Sequence, residues 1–160
     1  EAEWAWVARV NNQIAEQQPV NEGAVVTREM KYSWGQMLPP PENAGNFADM
    51  SARTFLGEIV NNYNDGFLAT APIGSFTPNH NGIYDLAGNV AEWMHDYYGT
   101  VGSRPNTVDP LGPAAGQYHS IRGSSWSHGS VTELRLSFRD YGEEPRDDVG
   151  FRLVRYLEEI

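Results

Sequence analysis

Asn81-Gly82-Ile83-Tyr84-Asp85-Leu86-Ala87-Gly88-Asn89-Val90-Ala91-Glu92-Trp93 is the stretch on which the reading of this chain turns. It sets two carboxylates, Asp85 and Glu92, seven residues apart across a Gly88-Asn89 turn and closes on an indole. Neither an ordinary helix nor an ordinary hairpin has this pattern. If the backbone between them curls, both carboxylates reach one point, with Gly88 permitting the unusual dihedrals. That is the shape of a chain wrapped round a cation. On the residues alone, a tight turn with Asp85 as a local cap and Glu92 in solvent is the plainer alternative.

Working outward, the 160 residues amount to one domain, read here as 1–160. Forty per cent are hydrophobic, with five Trp and eight Tyr, which is too rich for a disordered chain. Sixteen Gly and ten Pro imply many turns and long irregular connections. A net charge of −10 argues against a nucleic-acid or anionic-membrane partner. There is no Cys, hence no disulfide, thiolate metal site or Cys nucleophile in these residues. No apolar run approaches the roughly 18 residues of a membrane span, and no signal-peptide pattern is present. The chain opens inside a helical pattern and reads as the C-terminal portion of a longer one.

Trp4, Val7, Ala8 and Ile14 recur at helical spacing, which predicts an amphipathic helix over 2–17, stopped by Pro19. Residues 20–50 read as ordered loop, with three prolines at 39–41. Ser51 is placed to cap a short helix carrying Phe55, Ile59 and Val60 on one face. Residues 90–97 look extended, and 99–116 form a long loop. Three strands are expected near the end. They are His119–Ser125, a second in which Leu134, Leu136 and Phe138 alternate with Arg135, Ser137 and Arg139, and Phe151–Tyr156.

Four segments, in order, carry a resemblance: Glu1-Ala-Glu-Trp4 with Ala8-Arg9, Tyr32-Ser-Trp-Gly35, the Gly82–Trp93 motif, and Arg122-Gly-Ser-Ser-Trp126 followed by Gly150-Phe-Arg152. Together they resemble the formylglycine-generating enzyme and sulfatase-modifying factor family. The resemblance implies an α+β, C-type-lectin-like single domain with little regular secondary structure. It begins partway into the family's domain.

The resemblance tips the 85–92 segment toward calcium, with Asp85, the Gly88 and Val90 carbonyls and Glu92 as implied ligands. It implies a second, more weakly charged calcium site at Asn46, the Phe47 carbonyl, Asp65 and the Phe67 carbonyl. There an Asx-turn at Asn46 and a tight turn at Asp65-Gly66 read the residues equally well. Calcium takes about six to eight oxygens at roughly 2.3–2.6 Å, and both sets are oxygen-only.

Copper-dependent family members hold Cu(I) with two Cys just after the Gly-Gly-Ser-aromatic motif, and soft thiolates suit that ion. Here that region reads Ser125-Trp126-Ser127-His128-Gly129-Ser130, with no sulfur. Among His80, His95, His119 and His128 no pair has the spacing of an iron site. His128 stands where the family keeps a reactive residue. A Ser-His pair could activate a nucleophile, with Glu133 and Asp140 the acids in view, but a polar pocket lining explains the same residues. Trp34, Trp93 and Trp126 read as anchors under loops, or as an aromatic pocket floor. Ala91 stands where the family often has Trp. Five Arg between Arg135 and Arg155 are expected to pair with Asp140, Asp147 and Asp148, and Arg152 to form a buried pair.

The expectation is a non-copper domain of this family acting as a calcium-stabilised binding or accessory module, with a peptide or small-molecule pocket at Trp126, Ser127 and His128. An extracytoplasmic (periplasmic or secreted) setting suits such calcium cages. The alternative is an oxidoreductase or maturation enzyme with part of its active site outside this chain. A recognition domain displaying variable loops is a third reading.

Overall fold

A computed structural model describes residues 1–9, 30–79, 81–100 and 110–155. Its regular elements are few: helix α1 (Ala2–Arg9), one turn of 3-10 helix (Met50–Ala52), and strands β1 (Ala91–Tyr97), β2 (His119–Arg122), β3 (Arg139–Gly142) and β4 (Val149–Gly150). The strands form one mixed sheet in the order β3-β2-β1-β4. β2 runs antiparallel to both β1 and β3, while β4 lies parallel to β1. This is the expected α+β arrangement with little regular structure.

The amphipathic start of the chain forms α1 because Trp4 and Ala8, one helical turn apart, both find apolar partners. They pack with Leu86, Ala87 and Leu136 into one buried cluster. The remainder of the helix expected over 10–17 lies outside the described residues. A second cluster joins Tyr32, Phe47, Val60, Tyr63 and Leu134, with Trp34 stacked on Tyr32 at 4.9 Å. The two clusters hold long loops that have almost no ladder hydrogen bonds of their own.

Three expected elements are placed differently. The turn after residue 49 is capped by Asp49, whose Oδ1 accepts from the Ser51 amide at 2.7 Å, so Ser51 is not the cap and no longer helix follows. Phe55, expected on its buried face, is 55% exposed. The strand expected over Leu134–Arg139 begins only at Arg139. Leu134 and Leu136 are buried as the alternation requires, but on successive turns. Ser130 and Glu133 cause this: the Ser130 amide donates to Glu133 Oε2 at 3.1 Å and the Glu133 amide to Ser130 Oγ at 3.2 Å, the reciprocal pair that starts a helical turn. The last strand among the described residues is Val149–Gly150, ahead of the expected Phe151–Tyr156, of which residues 151–155 are exposed and Tyr156 lies outside the described residues.

Candidate functional site

The 85–92 segment does curl. Asp85, Gly88 and Asn89 have φ of 53°, 99° and 64°. Gly88 is required there, since a Cβ would lie 2.8 Å from the Asn46 carbonyl oxygen. The Gly88 amide donates to the Ser124 carbonyl at 3.0 Å and the Asn89 amide to the Asn46 carbonyl at 2.8 Å. The segment is thereby fixed between two other loops.

Neither end carboxylate is free in solvent. Asp85 Oδ2 accepts from the Gly74 amide at 2.8 Å, and its Oδ1 is buried without a hydrogen-bond partner. Glu92 is 4% exposed. Its Oε2 accepts from the Trp4 indole at 3.1 Å, and Arg152 Nη2 reaches its Oε1 at 2.6 Å. Burial pushes the Glu92 carboxyl up, and Arg152 and Trp4 pull it back only in part. Gly88 is buried and Val90 half-buried within the same curl.

The second candidate is built more tightly. The Asn46 amide nitrogen donates to the Ala69 carbonyl at 2.7 Å and to Asn89 Oδ1 at 3.3 Å, which fixes its orientation. Asn46 Oδ1 is left buried and without a partner in a side chain that is 1% exposed. The Asp65 carboxylate accepts from the amides of Phe47 and Phe67, each at 2.9 Å. Burial pushes the Asp65 carboxyl up to about 6. Asp49, which the sequence reading did not single out, is fully buried beside it and accepts from the Asp65 amide at 2.5 Å. The Phe67 carbonyl accepts from Ser51 Oγ at 2.8 Å.

Each implied set holds one buried oxygen to which a hard cation would be a chemically suitable partner. A buried, unpartnered oxygen is costly unless something donates to it or coordinates it. Asn46 Oδ1 and Asp85 Oδ1, one in each implied set, are such oxygens. Calcium accepts amide and carboxylate oxygens of this kind. Among the described residues, no three His, Asp or Glu side chains converge as a metal site, so the main-chain and amide oxygens would carry much of the coordination. Arg152 already occupies Glu92, which makes the Asn46–Asp65 set the better fit.

At Trp126, Ser127 and His128 the structure brings in an acid from far along the chain. Asp148 Oδ2 accepts from Ser125 Oγ and Ser127 Oγ, each at 3.1 Å. Arg146 clamps the same carboxylate through Nε at 2.9 Å and Nη2 at 3.1 Å, and holds Asp140 at 2.6 Å. Burial acts to raise the Asp148 carboxyl, but the Arg146 contacts and both hydroxyls outweigh it and hold the carboxyl below its ordinary range. His128 Nδ1 accepts from the Ser125 backbone amide at 3.2 Å, so the proton of the neutral ring sits on Nε2, 3.8 Å from Asp148. Burial pushes His128 down, toward that neutral form. The hydroxyls of Ser125 and Ser127 thus donate to a carboxylate, not to an imidazole, and neither forms a Ser–His pair with His128. Trp126 is half-buried, its indole N–H 3.5 Å from the Asp147 carbonyl.

Of the two acids considered beforehand, Glu133 is engaged by Ser130 and Asp140 by Arg146. Asp148 was legible only as one of a run of acids near the Arg cluster. His119 Nδ1 lies 3.1 Å from the His95 carbonyl, and His80 is outside the described residues. A separate cavity of about 650 Å³ lies beneath α1, walled by Val7, Trp34, Phe76, Ile83, Asp85 and Leu136. No helix among the described residues is long and apolar enough to cross a membrane.

The sulfatase-modifying factor enzyme 1-like domain matches residues 1–157. The formylglycine-generating enzyme of Streptomyces coelicolor is 35% identical over 129 residues, covering 79% of this chain and 34% of that enzyme. Among solved structures, PvdO from Pseudomonas aeruginosa superposes with a TM-score of 0.61 at 24% identity, over 94% of this chain and 48% of that one. CarF superposes with a TM-score of 0.57 at 23% identity, over 98% and 45%. These two likenesses establish the fold. The chain spans about a third of the curated enzyme and about half of each solved chain.

Proposed function

Given that the chain belongs to the sulfatase-modifying factor enzyme 1-like family, we propose that it is a non-copper, calcium-stabilised binding or accessory module of that family. The observation that carries this reading is the buried, unpartnered Asn46 Oδ1, one residue before Phe47, whose amide the Asp65 carboxylate holds. Asn46 and Asp65, with the Phe47 and Phe67 carbonyls, would hold one calcium. Asp85, Glu92 and the Gly88 and Val90 carbonyls would hold the other. The role of each ion is to fix irregular backbone that has little ladder bonding. In the region where family members place copper-binding Cys, this chain reads Ser125-Trp126-Ser127-His128-Gly129-Ser130, with no sulfur. These residues therefore supply no thiolate pair for formylglycine formation by that route.

The ligand of the module is a peptide or small molecule taken beside Trp126, Ser127 and His128. The Asp148–Arg146 pair holds the serines there as a fixed polar wall. An extracytoplasmic setting, where calcium is abundant, suits low-charge cages. The test is metal analysis of the purified protein with melting curves in EDTA and in excess calcium. Bound calcium and a Tm lowered by several degrees on chelation are expected from simple linkage. Identical melting curves would end the calcium reading, and stoichiometric iron or copper would end the module reading.

A further inference from the structure

The buried Glu92 carboxylate is held by an arginine that comes in from beyond β4. Arg152 Nη2 donates to Oε1 at 2.6 Å, and Arg152 Nε lies 3.1 Å from Oε1 and 3.3 Å from Oε2. The Trp4 indole donates to Oε2 at 3.1 Å. A carboxylate has about four lone-pair directions. Each Glu92 oxygen already faces two donors, so those directions are taken. A calcium ion needs a carboxylate oxygen at roughly 2.3–2.6 Å, and this one offers no open side while Arg152 is in place. The same Nη2 donates to the Tyr84 carbonyl, immediately before Asp85.

The guanidinium satisfies the curl only in part. Asp85 Oδ1 stays buried without a hydrogen-bond partner. Besides burial, the Asp85 charge pushes the Glu92 carboxyl up, so the two carboxylates act on each other across the curl. Set against both, one guanidinium leaves a negative charge over. A divalent cation cancels both charges and can coordinate Asp85 Oδ1, which a donor does not reach here. Arginine brings a fork of N–H donors and calcium brings empty coordination positions, but both require the same Glu92 oxygens. They therefore bind by turns. The other implied set differs: the Asp65 carboxylate is held by the main-chain amides of Phe47 and Phe67.

We infer that Arg152 is a tethered competitor for calcium at the 85–92 curl: its guanidinium seals Glu92 when calcium is scarce, and calcium enters by displacing it, which frees the segment after β4. This rests on the calcium reading above and adds its regulation. Because the two states exclude each other, removing the competitor raises calcium affinity, whereas an arginine that only shapes the curl would leave affinity unchanged or lower it. The test is a calcium titration of metal-free protein, followed by NMR at the backbone amides and at the Arg152 Nε–H. In the parent, calcium is expected to shift the Gly88, Val90 and Glu92 amides and to move the Arg152 Nε–H to the position of a solvated arginine. In Arg152→Ala the Kd read at those amides falls about tenfold or more, while the Kd read at Phe47 and Phe67 changes less than about threefold. Arg152→Lys keeps the charge and loses the fork, so it gives a smaller gain in the same direction and serves if Arg152→Ala does not fold. Affinity at 88–92 that is unchanged or weaker in both variants overturns the inference. So does saturation of those amides in the parent with the Arg152 Nε–H unmoved. Saturation at Phe47 and Phe67 alone, in parent and variants, overturns the exchange and leaves calcium at the other loop pair. No saturation at either set overturns both readings.

Discussion

Arg152 closes on Glu92 at 2.6 Å, and the same Nη2 donates to the Tyr84 carbonyl at 2.9 Å, so one guanidinium ties the segment that follows β4 to both ends of the 84–92 curl. Its partner is almost fully buried, while about a third of the Arg152 side chain remains open to solvent.

In EDTA, with no ion at the 85–92 curl, Arg152→Ala would leave Glu92 buried with only the Trp4 indole as donor. Breaking a fully buried pair costs about 3–5 kcal/mol, and with one partner partly solvated a loss of about 2 kcal/mol is expected. Urea unfolding measures it. Adding Glu92→Gln to that variant should recover part of the loss by removing the stranded charge. A double variant no more stable than Arg152→Ala would show that the charge is not what matters.

Gly88→Ala puts a methyl group 2.8 Å from the Asn46 carbonyl oxygen at a φ of 99°. Backbone lies on the far side, so nothing can turn aside. About 3 kcal/mol of destabilisation is expected, read as a lower urea midpoint at unchanged slope. A variant within error of the parent would overturn the close approach of Gly88 to the Asn46 backbone.

His128 sets a pH dependence. Burial depresses its folded-state pKa below the ordinary 6.5. Below 6.5 the unfolded chain takes up a proton that the folded protein resists. Stability is therefore full above that pH and falls progressively as pH drops toward the folded-state value. His128→Gln should flatten the Tm profile on that acid limb. A profile of the same slope in the variant would assign the dependence to other groups.

Asn46→Ala removes the buried oxygen and also two donated hydrogen bonds, so a lower Tm alone proves little. The informative quantity is the difference between melting in calcium and in EDTA. That difference should shrink in Asn46→Ala and persist in a destabilised variant outside both implied ligand loops, such as Ile121→Ala in β2. Equal differences in both would remove Asn46 from the ligand set.

Much of the architecture was legible from local pattern. Trp4 and Ala8 announce the face of α1, and the turn chemistry at Gly88-Asn89 announces a curl followed by a strand at 91–97. The failures share a cause. Leu134 and Leu136 obey a two-residue burial period, yet the Ser130–Glu133 pair bends the backbone into turns that happen to preserve it. Asp148 reaches Ser125 across 23 positions of chain, through loops whose path no periodicity encodes. Asp49 beats Ser51 as the cap because its carboxylate is folded inward against the Asp65 amide, a tertiary contact invisible to propensity.

Asn89 joins three loops that have no ladder in common. Its side chain accepts from Asn46 and from the Ala71 amide and donates to the Ala71 carbonyl, and its own carbonyl accepts from the Trp126 amide. Such segments would otherwise fray separately, each at its own free energy. Stitched through a single residue, they open together, so deuterium enters the amides of Ala71, Asn89 and Trp126 at one shared rate set by one cooperative event.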